Sequence, residues 1–214
     1  MRSRLQTAEE AQNPQQLVFM PGGPSEDTPK MRKIGLIGDV DEKRSEDIIY
    51  GLYALKELGS YVEEVTVKGK TKQIAGCDPI DLIISTNGGS ASDMFAIYDV
   101  MRDVQAECEI HTFGVGKVMS AGVLLLAAGT KGKRKIGRNC RVMFHGVIAG
   151  NSGPMHNMEN EMAEIRETQR RYLEALKSET KMSTKQINAY LEKHVDIYLS
   201  AQEAVKLGIA DIVV

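Results

Sequence analysis

Short apolar runs alternate with longer amphipathic segments along most of this chain, and that alternation limits its folds more than any other feature. Residues 34–37, 82–85, 109–113 and 141–145 form runs of the length expected for buried strands. Segments with a helical spacing of apolar side chains lie between them. Strands that alternate with helices predict an α/β core with parallel strands joined by right-handed crossovers.

The segments between and after these strands predict helices, a hairpin and a terminal strand. Three of them have apolar side chains at helical spacing: residues 41–58, 90–105 and 158–176. A short apolar helix is predicted after Ser120, through Ala128. Capping-box signatures that begin at Ser183 and Ser200 predict two shorter helices. Residues 61–75 alternate around a turn at Lys68-Gly69-Lys70, which predicts a β-hairpin, and residues 209–214 are predicted to form a terminal strand.

The beginning of the chain differs from the rest in composition. Residues 1–31 are polar and are interrupted by several prolines and glycines. We therefore expect a flexible N-terminal arm, followed by a folded domain over residues 32–214.

Bulk composition argues against several kinds of partner. The chain has 214 residues and a net charge of −2, so no basic excess suggests binding to nucleic acid. Its longest apolar run, residues 123–128, is too short to span a bilayer, and the N-terminus lacks the apolar core of a signal peptide. We expect a cytoplasmic protein that binds neither nucleic acid nor membrane.

The three cysteines predict structural thiols. Cys77, Cys108 and Cys140 are widely spaced and form no CxxC pair, so we expect no metal site. An odd number of cysteines without an export signal favours the reduced state.

Ser120 lies in a glycine-rich turn, Gly116-Lys117-Val118-Met119-Ser120-Ala121-Gly122, between a strand and an apolar helix. A serine at a helix N-terminus can simply be a cap. Here the glycines allow a tight turn and Ala121 leaves space beside the hydroxyl, so Ser120 is also a candidate nucleophile. The backbone N–H of Ala121 would form half of an oxyanion hole, and Asn87-Gly88-Gly89, after another strand, could form the other half.

A serine hydroxyl is a poor nucleophile without an adjacent base, and the chain has four histidines. His145 ends a predicted strand, which is where an α/β sheet presents catalytic groups. His111 lies inside an apolar strand and is predicted to be a core residue. His156 precedes a helix in a stretch rich in glycine and proline, and His194 lies in a charged segment. His145 is therefore the candidate general base.

A carboxylate normally fixes the tautomer of such a histidine. Asp196 lies between Val195 and Ile197, and a carboxylate with apolar neighbours is costly unless it is paired. Asp196 is therefore the candidate partner of His145, although spacing alone does not bring the two together.

Several blocks of this sequence follow the pattern of one protein family. Met119-Ser120-Ala121-Gly122 and the following Leu124-Leu125-Leu126-Ala127-Ala128-Gly129-Thr130-Lys131-Gly132-Lys133-Arg134 resemble the nucleophile segment of Clp protease proteolytic subunits. Asn139-Cys140-Arg141-Val142-Met143-Phe144-His145 resembles their histidine strand. Asp196-Ile197-Tyr198-Leu199-Ser200-Ala201-Gln202-Glu203-Ala204-Val205 resembles their aspartate segment, and Ser85-Thr86-Asn87-Gly88-Gly89 stands where the family has its Gly-Gly loop. The resemblance covers residues 33–214.

The resemblance implies a triad of Ser120, His145 and Asp196, with oxyanion donors from the N–H groups of Gly89 and Ala121. It implies a ClpP/crotonase-like α/β fold of ββα repeats with a protruding handle in residues 145–180. It also implies two stacked heptameric rings and an ATP-driven AAA+ unfoldase that feeds unfolded polypeptides to a serine endopeptidase. The chain contains no GxxxxGK[ST] motif, so no cofactor is expected in this chain and any ATP would be used by the partner.

The sequence also departs from the family pattern. Ala121 stands where the family often has methionine, and Val195 where many members have an arginine linked to ring–ring contacts. Residues 59–78 resemble an inserted hairpin. This divergence leaves open a phage-type capsid-maturation protease, a crotonase-like acyl-CoA enzyme and a non-catalytic ring subunit.

Overall fold

The structure, a computed structural model, describes residues 31–67, 70–148, 150, 154–191 and 195–214. In chain order its elements are β1 (Lys33–Ile37), α1 (Glu42–Gly59), β2 (Ser60–Val67), β3 (Lys70–Cys77), β4 (Ile80–Thr86), α2 (Ala91–Val104), β5 (Ile110–Met119), α3 (Ala121–Ala127), β6 (Lys135–Ile136), β7 (Arg141–Phe144), α4 (Met155–Glu179), α5 (Thr184–Leu191), β8 (Ile197–Leu199), α6 (Ala201–Lys206) and β9 (Ile212–Val213).

Within the described residues, seven strands form one sheet, whose main path runs β1-β4-β5-β6-β9 with parallel neighbours throughout. Strand β7 pairs in parallel with the far end of β5, and β8 pairs antiparallel with β7. Helices connect most of these strands. This mostly parallel sheet confirms the predicted α/β fold class.

Burial alternates along the central strands, so the two faces of the sheet differ. In β4, Ile80, Leu82 and Ile84 are fully buried, whereas Asp81 and Ile83 are half-buried. The buried face belongs to one core, which includes the apolar side chains of α1, α2 and α3. Among the described residues the opposite face stays partly open, which is unusual because parallel sheets are normally covered on both sides.

Caps explain where several helices begin. Asp41 accepts the N–H of Arg44 and starts α1, and Ser90 accepts the N–H of Asp93 and starts α2. The predicted capping box at Ser200 is confirmed, since its side chain and that of Glu203 bond to each other's backbone N–H.

The structure corrects three details of the sequence interpretation. β5 continues to Met119, beyond the predicted end at residue 113, because its far end pairs with β7. β6 and β8, with two and three residues, are too short to give a periodic signal and were not predicted. His111 is not a core residue: it lies half-buried on the open face of the sheet, where its Nε2 is 2.7 Å from Glu109 Oε2.

The predicted hairpin is present as β2 and β3, which pair antiparallel from Ser60–Cys77 to Val67–Lys70. A disulfide joins Cys77, at the base of this hairpin, to Cys108, and their Cα atoms are 5.0 Å apart. The expectation of three reduced thiols was therefore wrong for this pair, because spacing along the chain does not report proximity in the fold. Cys140 is free and buried.

Some sequence predictions fall outside the described residues: the N-terminal arm apart from Met31, the hairpin turn at Lys68 and Gly69, and His194. Among the helices that the structure describes, none combines the length and the apolar character needed to cross a membrane.

Candidate active site

Ser120 joins β5 to α3 in a backbone conformation with φ 53° and ψ −120°. Among the described residues it is the only one other than glycine with a positive φ. Such a conformation costs on the order of 1–3 kcal/mol, so the surrounding structure must hold it. The N–H of Ser120 donates to Met143 O at 2.8 Å, and its carbonyl accepts from Val123 N–H at 3.0 Å and from the Tyr172 hydroxyl at 3.1 Å.

The Ser120 side chain does not act as a helix cap. It makes no capping hydrogen bond to α3, so the capping alternative is wrong. Ser120 instead lines a cavity of about 370 Å³, together with Gly89, Ala121, His145 and other residues. The hydroxyl is therefore available for chemistry.

The Gly88–Gly89 loop packs directly against Ser120. A Cβ added to Gly88, where φ is 101°, would lie 2.5 Å from Ser120 Cβ, and one added to Gly89 would lie 2.1 Å from Val40 O. Only glycine fits both positions, because the backbone is left-handed and the neighbours are close.

Hydrogen bonding in this loop distinguishes the two glycine N–H groups. Gly88 N–H donates to the buried Thr86 Oγ1 at 2.9 Å. The neighbouring β-bridge between Val40 and Gly89 uses the N–H groups of Val40 and Ser90, so it leaves the N–H of Gly89 unused. Of the two glycine N–H groups, that of Gly89 is therefore the one that these bonds leave free.

Ala121 is the first residue of α3, so its N–H has no partner within the helix. It lines the same cavity as Gly89. The two N–H groups predicted to form an oxyanion hole thus belong to residues on the wall of one cavity, beside Ser120.

His145 borders this cavity from the end of β7. Its Nδ1 is 2.5 Å from the carbonyl oxygen of Gly146. Because a carbonyl only accepts hydrogen bonds, Nδ1 is the donor in this contact, and in the neutral ring Nε2 then carries the lone pair that a general base requires. No hydrogen bond joins His145 to Ser120 or Asp196 among the described residues.

Asp196 lies on the other side of His145. The two residues line a second hollow of about 350 Å³, with Gln169, Leu191 and Val195 among its walls. Asp196 is exposed and Val195 is 60% exposed. The argument that apolar flanks bury this carboxylate was therefore wrong, and its nearness to His145 comes from strand pairing instead.

Strand register explains why the three residues lie near one another. Pairing between β7 and β8 runs from Val142–Leu199 to Phe144–Ile197, and the next pair in this register is His145 and Asp196. Residues opposite each other in an antiparallel pair have Cβ atoms about 5 Å apart. β5 lies on the other side of β7, where Met119 pairs with Met143 and Ser120 follows. Each candidate therefore lies just beyond the end of one of three adjacent strands.

Sequence reasoning missed the residues that support this arrangement. In the sequence, Tyr172 belongs to the apolar stripe of the long predicted helix, and Thr86 to the block that resembles the Gly-Gly loop, without a role of its own. Their hydroxyl groups bond to Ser120 O and to Gly88 N–H. Helical spacing gives no signal for a hydrogen bond between distant segments.

Comparison with known proteins agrees with this architecture. The model of the Clp protease family matches residues 71–214. The chain belongs to the Clp protease family. This confirms the resemblance read from the sequence, and the match includes the Gly-Gly loop, Ser120, His145 and Asp196 but not β1, α1 or β2.

Curated Clp relatives include bacterial proteins named ATP-dependent Clp protease proteolytic subunits. Subunit 2 of Rhodococcus jostii is 36% identical over 135 residues, which are 63% of this chain and 67% of that protein. Subunit 2 of Corynebacterium diphtheriae is 35% identical over 163 residues, 73% of this chain and 80% of that protein. Subunit 1 of Prochlorococcus marinus is 37% identical over 134 residues, 63% of this chain and 66% of that protein.

Proposed function

We propose that this chain is a serine endopeptidase subunit of the Clp type. The observation that carries the proposal is the environment of Ser120: a strained backbone, a hydroxyl without a capping bond, and a cavity shared with His145 and with Gly89 and Ala121. Family membership and the proteolytic relatives support the same reaction class.

In the proposed reaction, Ser120 Oγ attacks the carbonyl carbon of a peptide bond and its proton passes to His145 Nε2. The N–H groups of Gly89 and Ala121 stabilise the negative oxygen of the tetrahedral intermediate. His145 then protonates the leaving amine as the C–N bond breaks, and a water molecule hydrolyses the Ser120 ester by the same steps. Asp196 stabilises the imidazolium that forms at each transfer.

The role of Asp196 requires a local change of conformation. His145 Nδ1 donates to Gly146 O in this structure, so the ring must turn toward Asp196 before the carboxylate can accept a hydrogen bond from Nδ1–H. The two residues already share the walls of one hollow, and we infer that a rotamer change at His145 with movement of Gly146 brings them into contact. Catalytic hydrogen bonds often tighten only when substrate is bound.

We further propose that the active form is a homo-oligomer, two stacked heptameric rings around a closed chamber, supplied with unfolded polypeptides by an AAA+ unfoldase. The partly open face of the parallel sheet supports self-association. The first half of α4 also supports it, since Met155 and Met162 are 69% and 49% exposed. ATP would be consumed by the unfoldase.

A non-catalytic ring subunit is the second candidate. The observation that favours it is that, among the described residues, His145 makes no hydrogen bond to Ser120 or Asp196. Such a subunit would assemble with an active relative and would lose nothing when Ser120 is replaced.

Hydrolysis of a reduced, carboxymethylated protein by the purified chain separates these candidates. We expect new peptide termini to appear by mass spectrometry with the wild type and to be absent with Ser120→Ala at equal oligomer size. Equal cleavage by Ser120→Ala would refute the assignment of the nucleophile. An inactive wild type, alone and with a Clp ATPase, would favour the non-catalytic subunit.

A further inference from the structure

Tyr172 connects the long helix α4 to the backbone of the candidate nucleophile. It is 5% exposed, lines the same cavity as Ser120, and its hydroxyl lies 3.1 Å from the carbonyl oxygen of Ser120. Burial raises the pKa of Tyr172, so the hydroxyl keeps its proton and donates this hydrogen bond.

The acceptor of this bond belongs to the same peptide unit as one proposed oxyanion donor. The carbonyl of Ser120 and the N–H of Ala121 form one planar trans peptide, and in such a unit the C=O and N–H vectors point in opposite directions. A contact that fixes the direction of the Ser120 carbonyl therefore also fixes the direction of the Ala121 N–H. Hydrogen bonding at the carbonyl also polarises the peptide and strengthens its N–H as a donor.

We infer that Tyr172 is a positioning residue for the oxyanion hole: its hydroxyl holds the Ser120–Ala121 peptide so that the Ala121 N–H faces the substrate cavity. This inference rests on the proposed peptidase function and adds a residue that does not itself touch the reacting atoms. It assigns to α4 an indirect part in transition-state stabilisation, through the Ala121 N–H.

The strain at Ser120 is the reason why this peptide needs a second support. Val123 N–H also bonds to Ser120 O, but this bond forms part of the short helix α3 and stays with it. Tyr172 comes from a separate element and holds the peptide against relaxation of the positive φ. Its loss would allow the plane to rotate while the fold remains.

Tyr172→Phe tests the inference, because it removes only the hydroxyl. Tyr98→Phe is the matched control: the Tyr98 hydroxyl also makes a hydrogen bond between elements, to Glu179 Oε1 at 2.9 Å, but it does not border the site cavity. For both variants, kcat and KM for a fluorogenic peptide, the affinity for a peptide boronic acid and the thermal midpoint of unfolding are measured. The boronic acid forms a tetrahedral adduct with the serine oxygen, so its affinity reports on the oxyanion hole.

We expect Tyr172→Phe to lower kcat about ten-fold with KM nearly unchanged. This is less than the roughly 100-fold loss expected when an oxyanion donor is removed, because the Ala121 N–H would be misdirected but still present. The affinity for the boronic acid should fall by the same factor, whereas Tyr98→Phe should change only the thermal midpoint. Equal kcat and boronate affinity in Tyr172→Phe and wild type would overturn the inference. An equal fall of kcat and boronate affinity in Tyr172→Phe and Tyr98→Phe would also overturn it, because it would indicate a general loss of structural order. An inactive wild type would instead refute the proposed peptidase function.

Discussion

At the scale of single residues, the contact between Gly88 and Ser120 sets how close the proposed oxyanion loop can approach the proposed nucleophile. Gly88 has φ 101° and a virtual Cβ 3.0 Å from Ser120 Oγ. Any side chain there would displace either the loop or the serine. The space beside the Ser120 hydroxyl therefore depends on residue 88 having no Cβ.

We expect Gly88→Ala to abolish peptidase activity, because the new Cβ would clash with Ser120. Gly132→Ala is the control, since Gly132 has φ 83° but no atom lies within 4 Å of its virtual Cβ. Both variants lose on the order of 1–2 kcal/mol to left-handed backbone strain. Peptide turnover should fall only in Gly88→Ala, and equal activity of the two variants would contradict the steric argument.

Glu179 is a buried carboxylate at the end of α4 that joins three segments. It is 5% exposed and contacts Arg102 at 3.1 Å, Lys131 at 2.6 Å and the hydroxyl of Tyr98 at 2.9 Å. Burial lowers the pKa of Lys131, although its pairing with Glu179 acts in the opposite direction. The network fixes the end of α4 against α2 and the loop after α3.

Glu179→Gln should therefore destabilise the chain by about 2 kcal/mol, less than for a fully buried pair because Arg102 and Lys131 remain partly solvated. Glu174→Gln, which removes an exposed pair with Arg170, should change stability by less than about 0.5 kcal/mol. Urea unfolding followed by circular dichroism compares the two. The same midpoint in both variants would show that the Glu179 network contributes little.

At the scale of elements, the β2–β3 hairpin depends on its base. Its described side chains are exposed or half-buried, and Tyr61, Val62 and Ile74 are 47–65% exposed. A two-stranded hairpin is marginally stable by itself. Arg32 donates to Asp78 O, directly after β3, at 2.5 Å and to Leu55 O of α1 at 2.8 Å, and the disulfide between Cys77 and Cys108 ties the base to the segment before β5.

Thiol titration in denaturant tests this bond. Protein purified without reductant should show one reactive thiol, from Cys140, and three after reduction. Reduction should lower the free energy of unfolding by about 3.7 kcal/mol on the loop-entropy account, because the two cysteines are 31 residues apart in the sequence. It should also increase proteolysis within β2 and β3. Three thiols without reductant would show that the sulfurs are not joined.

The elements also show how far sequence reasoning reaches. Long helices and the central strands could be predicted, because their periodicity extends over many residues. The positions of Ser120 and His145 could be predicted too, since each follows a strand in a recognisable block. The way in which Asp196 lies opposite His145 could not, because β8 has three residues and its pairing with β7 is a contact between distant segments. The disulfide and the Tyr172 hydrogen bond were missed for the same reason.

At the scale of the whole molecule, the open face of the central sheet is the surface on which we propose a contact between copies of the chain. Ile37, on β1, is 50% exposed on that face, and Ile83 and Phe113 are half-buried beside it. Charged residues lie on the same face, with Lys33, Asp81 and His111 in register across three strands. A mixed apolar and charged surface of this kind suits a contact between copies of the chain.

Ile37→Asp should shift the chain toward smaller species in sedimentation velocity, because it places a charge in the proposed contact. Ile74→Asp is the control, since Ile74 is 52% exposed but lies on the hairpin. Circular dichroism checks that both variants are folded. A monomeric wild type at micromolar concentration, or equal shifts in the two variants, would contradict the role assigned to this face.

The most direct test of the account is covalent labelling of Ser120. The assembled protein is treated with a fluorophosphonate, and the modified peptide is identified by mass spectrometry. We predict that the probe modifies Ser120 in the wild type and that His145→Gln slows the labelling at least about 100-fold, because the hydroxyl then lacks its base. If Ser120 stays unmodified, or reacts equally fast without His145, the central claim is wrong.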